Sequence, residues 1–200
     1  MREVSFSGGG LEFKLSINDC TYEPAEDSEL AVEAMSLLAE RGRRYDSVID
    51  VGAGSGILAL AARRILRARR VAAVDAMICP ATSARENLPP DVMVVVCPYA
   101  SCIRGPWDLA VVNPPYLPEH PPRASVWDCS LEAGWAGGGG VMESLIRSVA
   151  RLAREVLAVS STLSPVRLPS LLSRLGFNVE LLASRPFFME RVEVYWGWRS

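Results

Sequence analysis

The sequence predicts an α/β fold in which a mainly parallel sheet is covered by helices on both faces. From residue 47 onward, short apolar stretches alternate with stretches of helical hydrophobic spacing. This alternation is typical of parallel strands joined by crossover helices, because such strands are buried on both sides. Glycine and polar residues directly follow several of the apolar stretches, which is where sheets of this kind bind ligands.

The individual elements follow from the hydrophobic period. Alternation over residues 12–17 suits a hairpin or an edge strand, and residues 25–41 carry helical spacing. Strands are predicted at 47–51, 71–74, 92–96, 109–112, 156–159, 177–182 and 192–196, with helices at 57–66, 141–154 and 168–175 and another ending at 87. No internal repeat or linker interrupts this pattern. We therefore expect one domain over residues 1–200, of which residues 1–24 form an N-terminal hairpin or extension.

The composition argues against several classes of protein. Half of the residues are hydrophobic (50%), but no apolar run approaches the ~20 residues that cross a bilayer, and the N-terminus has no apolar signal sequence. We expect a cytoplasmic protein without a membrane segment. A net charge of −2 disfavours electrostatic binding of nucleic acid. The single histidine and the absence of a C-x-x-C pair predict no metal site, and reduced, buried thiols at Cys20, Cys79, Cys97, Cys102 and Cys129.

A glycine-rich segment lies between the strand at 47–51 and the helix at 57–66. Its glycines, Gly52, Gly54 and Gly56, follow the pattern G-x-G-x-G, which lets the backbone turn tightly beside a ligand. Ile57 stands where the dinucleotide fingerprint has its third glycine, so the spacing favours a cofactor without pyrophosphate, such as S-adenosylmethionine. Asp50 is placed to meet the ammonium group of that cofactor, directly or through water.

Asp75 ends the strand at 71–74. A carboxylate at this position can accept hydrogen bonds from both hydroxyls of a ribose. The alternative is that Asp75 caps the following helix, a common use of aspartate after a strand. The glycine loop upstream favours ribose binding.

The tetrapeptide Asn113-Pro114-Pro115-Tyr116 follows the strand at 109–112, and an ordinary proline turn is the alternative reading. A planar –NH2 group is a poor nucleophile, because its lone pair is delocalised. The side-chain oxygen of Asn113 and the carbonyl of Pro114, held by the restricted proline backbone, can each accept one N–H of such a group. Tyr116 offers a flat surface to it. The four residues thus predict an acceptor site in which catalysis comes from orientation and electrostatics.

These motifs, together with two further segments at 22–28 and 131–138, resemble the archaeal and eukaryotic branch of the HemK-type glutamine methyltransferases, which modify translation termination factors. The segments read Tyr-Glu-Pro-Ala-Glu-Asp-Ser and Leu-Glu-Ala-Gly-Trp-Ala-Gly-Gly, and the resemblance covers residue 22 to the end of the sequence. It implies a Rossmann-like class I methyltransferase with a seven-stranded sheet. It also implies methylation of the glutamine amide in the Gly-Gly-Gln motif of a class I release factor.

The resemblance implies roles for particular residues. Asn113 with Pro114, Pro115 and Tyr116 is expected to bind the glutamine, and residues 23–28 to close over the cofactor, although Asp27 or Ser28 could also cap a helix. The stretch 96–100 lacks the aspartate that the family places against adenine, so either Tyr99 packs on the adenine or a backbone group replaces the carboxylate. The expected cofactor-binding residues are Ser28, Asp50, Gly52, Ala53, Gly54, Gly56, Asp75, Ala76, Tyr99 and Asn113.

The same branch often works with a small zinc-binding activator. The apolar strand at 92–96 could be the edge that such a partner covers, or it could be buried in the ordinary way. His120 could act as a base, but a surface-loop histidine is the simpler interpretation.

Three other functions are compatible with part of the sequence. A nucleic-acid amino-methyltransferase, acting on adenine N6, cytosine N4 or guanine N2, shares the Asn-Pro-Pro-Tyr chemistry, yet the catalytic fold leaves no room for a target-recognition domain. A lysine methyltransferase fits two neutral acceptors less well than an amide does, because an ammonium must first lose a proton. A scaffold subunit predicts eroded motifs, whereas both are intact.

Overall fold

Seven strands form a central sheet and two more form a separate hairpin. The computed structural model describes residues 1–116, 138–187 and 189–199. The strands are β1 (Arg2–Gly8), β2 (Leu11–Ile17), β3 (Ser47–Val51), β4 (Arg70–Asp75), β5 (Met93–Val96), β6 (Trp107–Val112), β7 (Ala153–Ser161), β8 (Asn178–Phe187) and β9 (Glu190–Trp198). The helices are α1 (Glu26–Glu40), α2 (Ile57–Arg64), α3 (Ile78–Asn87), α4 (Gly138–Leu152) and α5 (Leu168–Arg174), with a 3-10 turn at Pro98–Ala100.

The sheet has the order β5-β4-β3-β6-β7-β9-β8. The first five strands in this order are parallel, while β9 runs antiparallel to both β7 and β8. The prediction of a mainly parallel, seven-stranded sheet is therefore confirmed. Because β3 lies between β4 and β6, the residues that follow these three strands share one edge of the sheet. The glycine loop, Asp75 and Asn113 all lie there.

Helices cover both faces, as the apolar strands predicted. All five residues of β3 are buried, because its alternate side chains enter two separate cores. Val48 packs in the core beneath α1, α2 and the hairpin. Ile49 and Val51 pack in the opposite core, beneath α4 and α5. Burial on both faces is the reason that these strands are continuously apolar rather than alternating.

The N-terminal hairpin packs against helices α1 and α3 through its inward-facing side chains. β1 and β2 pair antiparallel, and the large apolar residues of β2 are almost fully buried. The end of β2 is joined to α3 by Asn87, whose side-chain oxygen accepts from the Ser16 N–H at 2.7 Å and whose amide donates to the Ser16 carbonyl at 3.0 Å. The side chain of Asn18 also donates to the carbonyl of Cys79 at 2.7 Å. The hairpin is therefore fixed to both ends of α3.

Four of the five cysteines are paired, so the prediction of reduced thiols is wrong for them. Cys20 forms a disulfide with Cys79, and Cys97 forms one with Cys102. The Cα atoms of the two pairs are 6.3 and 6.2 Å apart, within the range that a disulfide spans. The sequence contains no signal for the first pair, because 59 residues separate its members. Cys129 lies outside the described residues.

Helix α1 is held at its first two turns by an arginine from the far edge of the sheet. The guanidinium of Arg185, on β8, lies 2.8 Å from a carboxylate oxygen of Glu29 and 2.5 Å from one of Glu33. The two acids stand one helical turn apart, so one side chain pairs with both. This contact joins parts of the chain that are more than 150 residues apart in sequence.

The boundaries of several elements differ from the predictions. β7 begins directly after α4, at Ala153 rather than at 156. β8 and β9 are longer than predicted because their antiparallel pairing continues to Phe187 and Glu190. Over the described ranges, no helix is long and apolar enough to span a membrane. Within the same ranges, no cluster of three or more potential ligand side chains could hold a metal ion.

Candidate active site

The glycine loop requires glycine for two different reasons. Gly52, Gly54 and Gly56 all have a positive φ, at 83°, 54° and 81°, a region that side chains disfavour. Gly56 is also the N-cap residue of α2, and a Cβ there would lie 3.1 Å from Leu88 and 3.2 Å from the Cα of Ala84. A Cβ on Gly54 would meet nothing within 4 Å. Packing therefore excludes a side chain at Gly56, while Gly54 leaves open space beside the loop.

The loop is fixed to the end of β4. The N–H groups of Gly52 and Ala53 donate to the carbonyl of Val74, at 2.8 and 3.1 Å. The N–H of Gly54 donates to a carboxylate oxygen of Asp75 at 2.9 Å. The loop and the acid after the second parallel strand, which the sequence predicted to act together, are therefore in direct contact.

Asp75 is almost fully buried, and both of its carboxylate oxygens accept backbone hydrogen bonds. The second oxygen accepts from the N–H of Met77 at 2.9 Å. The N-cap of α3 is Met77 and not Asp75, so the alternative in which Asp75 caps the helix is wrong. Burial raises the pKa of this carboxyl, while its hydrogen bonds to backbone N–H groups oppose the rise. With the N–H of Ala76 also bonded to this carboxylate, a lone pair still remains that a ribose hydroxyl could use.

Asp50 is fully buried, and only one of its oxygens has a partner among the described residues. That oxygen accepts from the N–H of Ala59 at 2.9 Å, while Oδ1 accepts from no group in that part of the chain. The pKa of Asp50 is raised to about 7, mainly by burial, with the Ala59 hydrogen bond opposing the rise and the charge of Asp75 adding to it. An unpartnered buried carboxylate oxygen costs free energy unless a ligand or water satisfies it. Asp50 therefore fits the ammonium group of a bound amino-acid moiety.

Asn113 lies next to the glycine loop. Its backbone oxygen is 4.0 Å from the position of a Cβ on Gly52. The side-chain amide nitrogen donates to a carboxylate oxygen of Asp27 at 2.9 Å. The side-chain oxygen Oδ1 is buried and has no hydrogen-bond partner among the described residues. The site thus offers one free acceptor, on a residue whose backbone adjoins the loop that is predicted to hold the cofactor.

The other residues of the tetrapeptide surround this position. Pro114 is buried, while Pro115 and Tyr116 are partly buried. The hydroxyl of Tyr116 lies 3.4 Å from the same oxygen of Asp27 that receives Asn113. Burial and the nearby charge of Asp27 raise the pKa of Tyr116 above its ordinary value, so the phenol stays protonated. The structure therefore brings Asn113 and Tyr116 together on one carboxylate.

That carboxylate was missed as a site residue in the sequence. The sequence allows Asp27 or Ser28 to cap α1. In the structure the N-cap of α1 is Ala25, and no side chain caps this helix. Asp27 instead lies in the first turn, 8% exposed, and faces the tetrapeptide. The signal that could have found it is an acid one residue before the predicted cofactor residue Ser28. Nothing local in the sequence indicates its contact with Asn113, because 86 residues separate the two.

The remaining predicted cofactor residues lie around the same edge of the sheet. Ser28 and Ala53 are buried, and Ala76 is exposed directly after Asp75. Tyr99 follows β5 with a φ of 52° and is 39% exposed. The hydroxyl of Ser148, on α4, donates to its carbonyl. The segment Leu131–Gly137 and His120 lie outside the described residues.

A groove of about 390 Å³ lies at the opposite edge of the sheet. Its Asp108 accepts from the backbone N–H groups of Asp46 and Ser47, and so fixes the start of β3. The groove is distant from the glycine loop in the fold and plays no part in the candidate site. It is lined by Arg44, Tyr45, Asp46, Leu66, Arg67 and Asp108.

Comparison with known proteins identifies similar sequences. The model of the ribosomal protein L11 methyltransferase family (PrmA) matches residues 28–93, which include the glycine loop. A release factor glutamine methyltransferase of Bradyrhizobium diazoefficiens is 35% identical over 116 residues, covering 54% of this chain and 38% of that protein. Methyltransferase HEMK2 of Mus musculus is 31% identical over 134 residues, covering 63% of this chain and 62% of that protein. The chain thus spans less than two thirds of the length of these relatives.

Solved structures show the same fold. The Mtq2–Trm112 complex of E. cuniculi, which methylates the termination factor eRF1, matches with a TM-score of 0.64 at 22% identity over 90% of this chain and 99% of that one. The 16S rRNA methyltransferase RsmC of T. thermophilus, in complex with S-adenosylmethionine and guanosine, matches with a TM-score of 0.72 at 19% identity over 100% of this chain and 50% of that one.

The sheet order, the glycine loop and these structural neighbours define the class: the fold is that of a Rossmann-like class I methyltransferase. Among these methyltransferases, the chain is similar in sequence to the HemK-type glutamine methyltransferases, the resemblance that its motifs predicted.

Proposed function

We propose that this protein transfers a methyl group from S-adenosylmethionine to the side-chain amide of the glutamine in the Gly-Gly-Gln motif of a class I translation termination factor. The observation that carries the proposal is Asn113, whose side-chain Oδ1 is buried and unpartnered among the described residues and whose backbone lies beside Gly52. An amide of the substrate would satisfy that oxygen by donating an N–H. The names of the sequence relatives, release factor glutamine methyltransferase and HEMK2, support the same substrate class.

The residues present fit S-adenosylmethionine. The cofactor's sulfonium, when bound, supplies an activated methyl group, so the protein has no need of a strong base. Asp50 would hold the ammonium and Asp75 the ribose hydroxyls, while the open space at Gly54 admits the ligand to the loop. Tyr99 would lie against the adenine in place of the missing aspartate. Ser28, Gly52, Ala53, Gly56 and Ala76 would form the walls between them.

At the acceptor site, the protein would orient the amide rather than deprotonate it beforehand. As the N–CH3 bond forms and the S–CH3 bond of the cofactor breaks, the nitrogen would lose one of its two protons to solvent. The Oδ1 of Asn113 and the carbonyl of Pro114 would each accept one N–H, which draws electron density to the nitrogen and fixes its direction. Tyr116 would pack against the flat amide with a neutral phenol, since its pKa is raised. Most of the rate enhancement would come from orientation and from electrostatic stabilisation.

We include a small zinc-binding activator in the proposal, docked on the edge of the sheet at β5. Among the described residues β5 pairs only with β4, so its outer backbone groups are free to receive another strand. Met93 and Val96 expose 45% and 46% of their surfaces there. A neighbour of the same fold was solved as a complex with a second protein, Trm112. Replacing Met93 and Val96 with lysine should prevent co-purification with such an activator.

Residues 1–200 would act as one methyltransferase domain in the cytoplasm, with residues 1–24 as an extension. A nucleic-acid amino-methyltransferase is the alternative, and RsmC, solved with guanosine, shares the fold. The net charge of −2 argues against it.

The experiment that tests the proposal uses labelled S-adenosylmethionine, a recombinant release factor and its variant with alanine for the Gly-Gly-Gln glutamine, with and without the activator. Label should appear on the wild-type factor alone. Label on the alanine variant, or on RNA or DNA offered instead, would contradict the proposed substrate.

Asn113→Ala tests the assigned acceptor. Cofactor affinity, measured by calorimetry, should change by less than about threefold, while methyl transfer should fall by about 100-fold or more, as when one oxyanion-hole donor is removed. Unchanged turnover would contradict the assigned role, because Asn113 would then hold neither substrate nor transition state.

A further inference from the structure

The carboxylate of Asp27 is surrounded by hydrogen-bond donors. Oδ1 receives the N–H of Ser28 at 2.6 Å, the hydroxyl of Tyr22 at 3.2 Å and the hydroxyl of Ser28 at 3.3 Å. Oδ2 receives the amide nitrogen of Asn113 at 2.9 Å and the hydroxyl of Tyr116 at 3.4 Å. The side chain is 8% exposed. Asp27 therefore acts as a buried acceptor for several groups, one of which is the residue assigned to hold the substrate.

A carboxamide such as Asn113 has two orientations that fill the same space. They exchange the oxygen, which accepts, for the NH2 group, which donates. Packing alone cannot choose between them, because the two groups have nearly the same size. A neighbouring carboxylate determines the orientation of the carboxamide, since a carboxylate accepts hydrogen bonds and does not donate them. With its NH2 group toward Asp27, Asn113 must place Oδ1 on the opposite side, and this is the oxygen that has no partner in the described residues.

We infer that Asp27 is a positioning residue that fixes the carboxamide of Asn113 with its oxygen toward the acceptor nitrogen, and so makes the site selective for a group that presents an N–H. The inference rests on the proposed function, because it takes Asn113 as the residue that holds the acceptor. In the reversed orientation Asn113 would present its own NH2 group to the NH2 group of the substrate. Two donors would then face each other and the amide would not be held.

Asp27 does this without touching the substrate. Each of its oxygens already receives at least two donors, so neither is free to take a proton from the acceptor nitrogen. The carboxylate also polarises the amide of Asn113, because a charged acceptor on the NH2 group increases the electron density on Oδ1. Loss of the charge should therefore weaken the hold on the substrate at the transition state even where the shape of the side chain is kept.

The first test compares Asp27→Asn with Asp27→Glu, and uses Glu40→Gln, an exposed acid at the other end of α1, as the charge-matched control. With a recombinant release factor as substrate, Asp27→Asn should lower kcat by about tenfold or more, the range seen when an outer-shell partner is removed. KM and the affinity for S-adenosylhomocysteine should change by less than about threefold. Asp27→Glu should restore part of the rate, and Glu40→Gln should match the wild type. An Asp27→Asn enzyme with wild-type kcat would overturn the inference.

The second test needs no substrate. Nitrogen-15 NMR of the free protein should show the side-chain amide signals of Asn113, assigned by their loss in Asn113→Ala, with one proton shifted downfield by the carboxylate. In Asp27→Asn that proton should move upfield, whereas Glu40→Gln should leave it in place. Identical Asn113 signals in wild type and Asp27→Asn would refute the positioning role. If the wild-type enzyme leaves the release factor unmethylated, the proposed function fails, and the NMR result still decides the orientation.

Discussion

Replacing Asp50 with asparagine should stabilise the unliganded protein at high pH and weaken its hold on the cofactor. The carboxyl of Asp50 is fully buried and has one partner, the N–H of Ala59, among the described residues. Its pKa is raised from an ordinary value of 3.8 to about 7, mainly because the carboxyl is buried. Between these two values the folded protein holds a proton that the unfolded chain has released. Folding stability therefore falls as the pH rises through this window and is constant above it.

The magnitude follows from the two pKa values. A pKa rise from 3.8 to about 7 lowers the free energy of unfolding by about 4 kcal/mol at pH 8. Asparagine does not ionise and removes this loss. It introduces one buried NH2 group without a partner, which costs about 1–3 kcal/mol at every pH. The net gain at pH 8 is then about 1–3 kcal/mol. At pH 4.5 most of the loss is absent, so the variant should be no more stable than the wild type.

The assay is urea unfolding of both proteins at pH 4.5 and at pH 8. The stability difference between variant and wild type should be about 3 kcal/mol larger at the higher pH, a comparison in which the pH-independent cost of the NH2 group cancels. A change of less than about 1 kcal/mol would refute the reasoning, because Asp50 would then titrate normally. Affinity for S-adenosylhomocysteine gives a second measure. It should rise between pH 6 and pH 8 in the wild type, as Asp50 ionises to meet the ammonium, and stay flat in Asp50→Asn.

Two further predictions concern the surroundings of the site. Gly56→Ala should lower the free energy of unfolding by about 2–4 kcal/mol in a melting experiment, because the added Cβ lies 3.1 Å from Leu88 on a residue with a positive φ. Gly54→Ala should lower it by only about 1–2 kcal/mol, because its Cβ meets nothing within 4 Å, and should weaken cofactor binding instead. Similar losses in both variants would contradict this contrast. Cys20→Ser should destabilise the oxidised protein by about 4 kcal/mol, since the disulfide with Cys79 closes a loop of 59 residues, and should have no such effect under reducing conditions.

The hydrophobic period predicts the strands that are buried on both faces and leaves the sheet edge less well defined. β3 and β6 are mostly apolar because nearly all of their side chains are buried, so their positions could be read from the sequence. β8 mixes polar and apolar residues and only one of its ten residues, Leu182, is buried. Its partner β9 supplies the hydrogen bonds that extend it to Phe187. Pairing between strands, and not local sequence, determines where such an edge ends.

Some residues of the candidate site could likewise be predicted from the sequence, and others could not. The glycine loop, Asp75 and Asn113 each follow a predicted strand, so the topology of a parallel sheet was enough to place them together. Asp27 required a tertiary contact that no local pattern contains. Its position near the start of a helix, beside Ser28, favoured a capping role, and the cap turned out to be the backbone at Ala25. The orientation of a side chain by a partner far away in sequence is the part that periodicity cannot supply.

The pairing of Arg185 with Glu29 and Glu33 has a consequence for the order in which the molecule forms. α1 carries Asp27, which meets Asn113 across 86 residues, and the arginine that holds the same helix comes another 72 positions later. Contacts between such distant segments require large loops to close and so develop late in folding. The neighbouring strands β3 and β4 can pair early, whereas the geometry around Asn113 must wait for the last hairpin. The arrangement around Asn113 would therefore be completed at the final stage of folding, after the half that contains the glycine loop is already in place.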